Sequence, residues 1–298
     1  MQAFHSDQFS LPLPAGHSFP MSKYGMLREA VERELPLIRI REAPPATDGE
    51  LALVHAPHYV HAVAEGLLSA AQQREIGFPW SPRMAKRARR SVGATIAAAR
   101  AALAEGLGAN LAGGTHHAFA DRGSGYCVFN DVAVAARLLL AEGAVRRVLV
   151  VDLDVHQGDG TAAMLADEPR AFTLSVHCRA NFPARKQQSD LDVALDAEVG
   201  DDDYLALVDQ LLPALLDRVR PDLVFYNAGV DPHRDDRLGR LSLTDAGLAA
   251  RERLVLDAVR ARGLPLACVV GGGYADDLDV LARRHALLHE AIGGLPDW

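Results

Sequence analysis

The chain has 298 residues, of which 49% are hydrophobic and 23% charged, with a formal net charge of -8. This composition suits a soluble globular protein with a sizeable core; the acidic balance argues against general nucleic-acid binding and is compatible with a cationic substrate or partner. Three scattered cysteines, Cys127, Cys178 and Cys268, spell neither a disulfide framework nor a thiolate zinc site, and fit a reducing cytoplasm.

The first residues, 1–11, lack a basic start followed by an apolar run, so no secretory signal is read. No apolar stretch reaches the roughly 18 residues of a membrane-spanning helix. Helical spacing covers 23–34, 57–71, 82–105 and 130–142. Runs that are apolar throughout follow at 148–153 and 171–176, and read as parallel strands buried on both faces. Segment 182–203 is polar and strand-poor and reads as a long surface loop. Helix 202–218, strand 223–226, helix 244–262, strand 266–270 and helix 275–292 complete the chain. The alternation predicts an α/β fold: a doubly wound, mostly parallel sheet flanked by helices, with residues 1–298 as one domain.

Unusual polar residues cluster just after predicted strands, where open α/β sheets build their sites. In Val150–Gly160, Asp152, Asp154 and His156 fall at period two and begin on one strand face. Two carboxylates and an imidazole buried together call for a cation, and Asp oxygen with His nitrogen suits a zinc-like ion. A capped, solvated turn is the plainer alternative, but three ionisable residues at the end of an apolar strand speak against it. Asp231 lies just past strand 223–226, where it could complete such a site; alone, an Asp-Pro there reads as a turn. In Gly113–Asp131, His116 and His117 sit in a glycine-rich loop and suit general acid–base work, with a second metal site or two surface histidines as rivals. In Val269–Ala275, three glycines permit close backbone approach to a ligand, and Tyr274 could donate to an oxyanion; alone, the stretch reads as a strand-to-helix turn.

Taken together, G-G-x-H-H, D-x-D-x-H-x-G-D-G, N-A-G-x-D with R-L-G-x-L-x-L-T, and G-G-G-Y resemble the histone deacetylase superfamily, the arginase–deacetylase fold. The resemblance spans Gly113 to Tyr274 and extends to the N-terminal segments Gly16–Tyr24 and Val54–Tyr59. Segments Ile76–Ser81 and Asp235–Thr244 look most like the class IV, bacterial-type branch.

The resemblance implies that Asp154, His156 and Asp231 ligate zinc, with Fe(II) as the alternative. It implies that His116 and His117 are the tandem histidines, oriented by Asp152 and Asp159 respectively, and that Tyr274 stabilises the transition state. Gly125 and Tyr126 match positions lining an acyl-lysine channel, and Phe182 its opposite wall. Asp152, Asp154, His156, Ser175 and Val176 resemble a structural K⁺ or Na⁺ site built largely from backbone oxygens. The family often has a second histidine after the ligand histidine; Gln157 stands there, which puts the packing of the neighbouring loop in question.

The implied activity is zinc-dependent removal of an acyl group, acetyl or longer, from a lysine side-chain amine. His117 takes a proton from water, it or His116 protonates the leaving amine, and Tyr274 faces the oxyanion. The implied partner is an acylated lysine in a peptide or protein. Three alternatives remain: an acetylpolyamine amidohydrolase with the same catalytic residues, a non-catalytic acyl-lysine binder, and a binuclear manganese ureohydrolase. The last favours D-x-H-x-D and D-x-D-x-x-D patterns, from which this chain departs.

Overall fold

Strands that are apolar along their whole length need cover on both faces, and this demand organises the chain. The computed structural model describes residues 1–14 and 16–295; Ala15 and residues 296–298 of the 1–298 domain reading lie outside the described residues. The strands are β1 (Gln2–His5), β2 (Arg39–Glu42), β3 (Leu107–Asn110), β4 (Val148–Asp152), β5 (Ala171–Cys178), β6 (Leu191–Leu195), β7 (Leu223–Asn227) and β8 (Leu266–Val269). The helices are α1 (Lys23–Glu34), α2 (Asp48–Leu51), α3 (Pro57–Glu65), α4 (Ala70–Ile76), α5 (Pro82–Glu105), α6 (Asp131–Ala141), α7 (Asp159–Leu165), α8 (Asp201–Val219), α9 (Asp245–Arg260) and α10 (Leu278–Gly293).

All eight strands run parallel in one sheet, ordered β2-β1-β3-β8-β7-β4-β5-β6. Alternate residues of the central strands feed two cores. Val148, Val150, Phe225 and Val269 face α5 and α6, meeting Val92, Ile96 and Leu139. Leu149, Val151, Val224 and Cys268 face the layer of α1, α8, α9 and α10, meeting Leu27, Leu212, Val255 and Leu288. The fold is thus the α/β architecture expected from sequence. Cys127, Cys178 and Cys268 are free and buried. Among the described residues no helix is long and apolar enough to cross a membrane.

Several elements depart from the sequence reading. The helix expected over 57–71 is two: Gly66 adopts φ 74° and ends α3, and Ser69 with Gln72 forms a capping box that starts α4. The surface loop expected over 182–203 contains β6, which pairs with β5 in register Leu174↔Leu191 through Cys178↔Leu195. An edge strand is buried on one side at most, so its residues are only half-buried and lack the apolar run that marks the central strands. β1, β2 and β3 were also hidden: β2 reads RIRE, a charged edge, and β3 reads LGAN, four residues including a glycine.

The order brings the C-terminal ends of β3, β8, β7 and β4 side by side. β7 and β8, late in sequence, fill the space between β3 and β4, so segments far apart in sequence open onto one crevice. Close packing of α5 on β3 anchors this arrangement. A Cβ on Gly108 would come within 2.1 Å of the Ala98 carbonyl oxygen. Gly108→Ala should therefore destabilise the fold by about 1–3 kcal/mol through overpacking; an unchanged thermal melt would contradict this packing.

Candidate active site

β4 ends at Asp152, and residues 153–158 leave the sheet as a loop. The strand alternation read across 150–156 therefore stops early, and other bonds place Asp154 and His156. Val155 N donates to Asp231 Oδ1 at 2.9 Å, His156 N to Asp154 Oδ1 at 3.0 Å, and Gly272 N to Asp154 Oδ2 at 2.7 Å. These bonds tie the ends of β4, β7 and β8 together. As a result, one ligand atom from each of Asp154, His156 and Asp231 lies within 4.8 Å of the others, and all three residues are buried. His156 Nδ1 stands 3.0 Å from Asp154 Oδ1 and 3.1 Å from Asp231 Oδ2.

The donor set fits a divalent cation. Burial and the charge of Asp154 push the Asp231 carboxyl up to about 7, a like-charge cost that a cation relieves. Two carboxylates and one imidazole are proper ligands for such an ion. The backbone also leaves room: a Cβ on Gly272 would come within 2.0 Å of Asp231 Oδ2 and 2.8 Å of Asp154 Oδ2.

Beside the trio, the loop after β3 carries His116 and His117, both buried, with ring centroids 4.1 Å apart. Asp131, at the start of α6, holds that loop by accepting from Thr115 N at 2.8 Å and Gly114 N at 3.1 Å. His116 Nδ1 lies 2.7 Å from Asp152 Oδ2, and His117 Nδ1 lies 2.6 Å from Asp159 Oδ1. The two histidines titrate apart. Burial opposes a charge on His116, but the carboxylates of Asp152 and Asp154 outweigh it and raise its pKa to about 9. Burial lowers His117 to about 4, and a charge on His116 adds to that shift against the Asp159 hydrogen bond.

Tyr274 closes the opposite side. Asp236 Oδ2 accepts from its N–H at 2.7 Å, and Arg237 Nε donates to its carbonyl at 2.7 Å. Lys23 Nζ, itself buried, donates to the Gly273 carbonyl at 3.2 Å and lies 5.4 Å from the centre of the Tyr274 ring. Burial and the charges of Asp231 and Asp154 push the phenol well above its ordinary pKa, so it stays a donor. A cavity of about 600 Å³ leads inward, lined by His117, Gly125, Tyr126, His156, Phe182 and Tyr274 among others. Phe182 stands edge-on to His117 at 4.8 Å between ring centres, and Tyr126 N is fixed by the Ile76 carbonyl at 2.7 Å.

A family model of the histone deacetylase domain matches residues 17–290. The chain belongs to the histone deacetylase family. An uncharacterized protein of Picosynechococcus is 48% identical over 290 residues, covering 97% of this chain and 96% of that protein. A histone deacetylase-like amidohydrolase of Pseudomonas aeruginosa is 33% identical, covering 80% of this chain and 67% of that protein. The crystal structure of the HDA15 HD domain superposes with a TM-score of 0.82 at 21% identity, covering 99% of this chain and 91% of that one, and confirms the fold. The chain is a deacetylase-family amidohydrolase.

In this histone deacetylase family chain, His116, His117, Asp154, His156 and Tyr274 line one crevice, and Asp231 is buried against His156. Asp152 and Ser175 face each other across the β4–β5 ladder, Val176 is buried beside them, and the Ser175 hydroxyl lies 3.0 Å from His177 Nδ1. Lys23, Asp131, Asp236 and Arg237 received no role from sequence. The bonds by which they hold the site go to backbone atoms, which leave no pattern among side chains. The Gly272 geometry yields a direct test: Gly272→Ala should fold yet lose divalent-ion binding on metal analysis, because the new methyl occupies the space between the carboxylates. Stoichiometric metal in that variant would rule out the trio as the binding site.

Proposed function

We propose that the chain is a zinc-dependent deacylase, with residues 1–298 acting as one catalytic unit, that removes an acyl group from the side-chain amine of lysine. The observation that carries this reading is that His116, His117, Asp154, His156 and Tyr274 line one crevice, with Asp231 completing the buried trio against His156. Asp154, His156 and Asp231 would hold the zinc ion. When bound, the ion supplies Lewis-acid polarisation of the amide carbonyl and acidifies water.

The chain's own groups do the rest. His117 keeps its Nδ1 proton on Asp159, leaving Nε2 free to accept a proton from the attacking water. The same nitrogen then returns that proton to the departing amine. His116, held by Asp152 through its Nδ1, stands beside His117 at the reacting centre. Tyr274 donates its hydroxyl to the oxyanion. Aromatic walls from Tyr126 and Phe182, with Gly125 between His117 and Phe182, suit a slender methylene chain; a Cβ on Gly125 would crowd His117 at 2.8 Å and Phe182 at 3.2 Å. A monovalent cation, K⁺ or Na⁺, at Asp152, Asp154, His156, Ser175 and Val176 would complete the site, a reading supported by the β4–β5 register.

Charge at the mouth favours acyl-lysine over an acylated polyamine. Arg74 and Arg240 line the cavity and are exposed, while Glu75 is paired with Arg122 at 3.3 Å. A polyamine would bring its remaining ammonium groups against those arginines.

The deciding experiment is turnover across acetyl-lysine and longer acyl-lysine peptides and acetylpolyamines, with metal analysis of the same sample. One zinc per chain and preference for a lysine peptide are expected; no turnover on the whole panel would sink the reading. Tyr274→Phe should keep metal and fold while kcat falls about 10²–10³-fold; near-normal turnover would remove Tyr274 from the mechanism. Combining Arg74→Glu with Arg240→Glu should raise kcat/KM for an acetylpolyamine relative to a neutral acetyl-lysine peptide. An unaltered ratio would show that the mouth arginines do not select.

A further inference from the structure

We infer that Arg251 is a positioning residue that holds the backbone beneath the metal-binding trio, an inference resting on the reading that Asp154, His156 and Asp231 hold a divalent ion. Arg251 lies on α9, outside the cavity, and is completely buried. Its Nη1 donates to two carbonyls at once, Gly229 at 2.7 Å and Leu153 at 3.2 Å. Leu153 lies between Asp152 and Asp154. Gly229 is two residues before Asp231. Both lie beyond Asp152↔Asn227, the last rung of the β4–β7 ladder. Where strand pairing ends, one guanidinium replaces it.

The link to the trio is short. Gly229 presses on the Asp154 carboxylate so closely that a Cβ there would come within 2.4 Å of Oδ2 and 2.9 Å of the Asp154 Cα. A small movement of the Gly229 backbone therefore moves a ligand oxygen. The cation is neutralised locally: Glu252 Oε1 accepts from Arg251 Nε at 3.2 Å, and Glu252 Oε2 accepts from the Tyr226 hydroxyl at 2.7 Å. Arg251, Glu252 and Tyr226 are each at most 1% exposed. A buried ion pair of this kind is a poor way to gain stability, because apolar side chains of similar volume often serve as well. Its geometry suits another task, since a planar guanidinium fixes two acceptors in a rigid relation that an ammonium group does not.

Zinc affinity tests the inference, read by chelator competition beside thermal melts in chelator. The triple variant Arg251→Met, Glu252→Leu, Tyr226→Phe removes the buried ion pair together with the hydroxyl bonded to it, and leaves the Leu153 and Gly229 carbonyls without their side-chain donor. It should still fold, judged by a cooperative melt in chelator, yet bind zinc about 10–100-fold more weakly, the range seen when groups behind metal ligands are lost. The single variant Arg251→Lys keeps the charge without the fork, should also weaken zinc binding, and serves by itself if the triple variant does not fold. Parent zinc affinity in either folded variant would overturn the inference. If the parent protein itself binds no zinc, the metal reading falls first, and the parent arm alone reveals it.

Discussion

Two carboxylates, Asp154 and Asp231, are buried against each other where β4 and β7 end, and the rest of the site is arranged around that conflict. Burial opposes a charge on Asp154, but His116 and His156 outweigh it and hold that carboxyl well below its ordinary range, so the cost falls on Asp231, pushed up to about 7. The backbone answers part of the cost, with Val155, His156 and Gly272 N–H groups directed at carboxylate oxygens. These bonds double as ties between three strand ends, so satisfying the charges and joining the loops are the same act. What remains is negative charge facing an imidazole, and that remainder gives the site its appetite for a cation.

The same logic repeats one layer outward. Each loop of the site is pinned by a charged side chain bonded to main-chain atoms, buried at Lys23, Asp131 and Arg251 and half-buried at Asp236. Asp131 pins the histidine loop, Asp236 and Lys23 pin the segment of Tyr274, and Arg251 pins the turns after β4 and β7. The glycines make this possible by letting backbone and carboxylate approach closely, as at Gly229 and Gly272. A rigid, doubly covered parallel sheet below supplies fixed points for all of them. Fixed donors of this sort need no reorganisation when charge develops in a reaction.

Legibility from sequence follows the physics of each part. β4 and β7 could be read because strands covered on both faces are apolar throughout, and ionisable residues at their ends break the pattern visibly. Asp154, His156 and Asp231 stood out as candidates for that reason, whereas the histidine pair and Tyr274 lie in glycine-rich stretches and took their candidate roles from the resemblance. β2 could not, since an exposed edge carries charges. Lys23 could not, because its partner lies 250 residues away and is a carbonyl. Arg251 could not, because in sequence it is one of several charges along α9, and only the fold buries it.

The misread segment 182–203 shows how an error of secondary structure and an open question about one residue share a cause. Gln157 stands where relatives of this type often carry a histidine. Its amide donates to the Gln187 carbonyl at 2.7 Å and to Asp192 at 2.8 Å, and accepts from Gln187 N at 2.8 Å. Asp192 belongs to β6, and Gln187 lies in the turn between Phe182 and β6. An amide, with donor and acceptor side by side, bonds a main-chain N–H and carbonyl together, which a single imidazole nitrogen cannot do. The substitution therefore stitches the segment of Phe182, one wall of the cavity, to the residue next to the ligand His156. A stretch that is polar because its partners lie across the site looks, in one dimension, like solvent-facing loop.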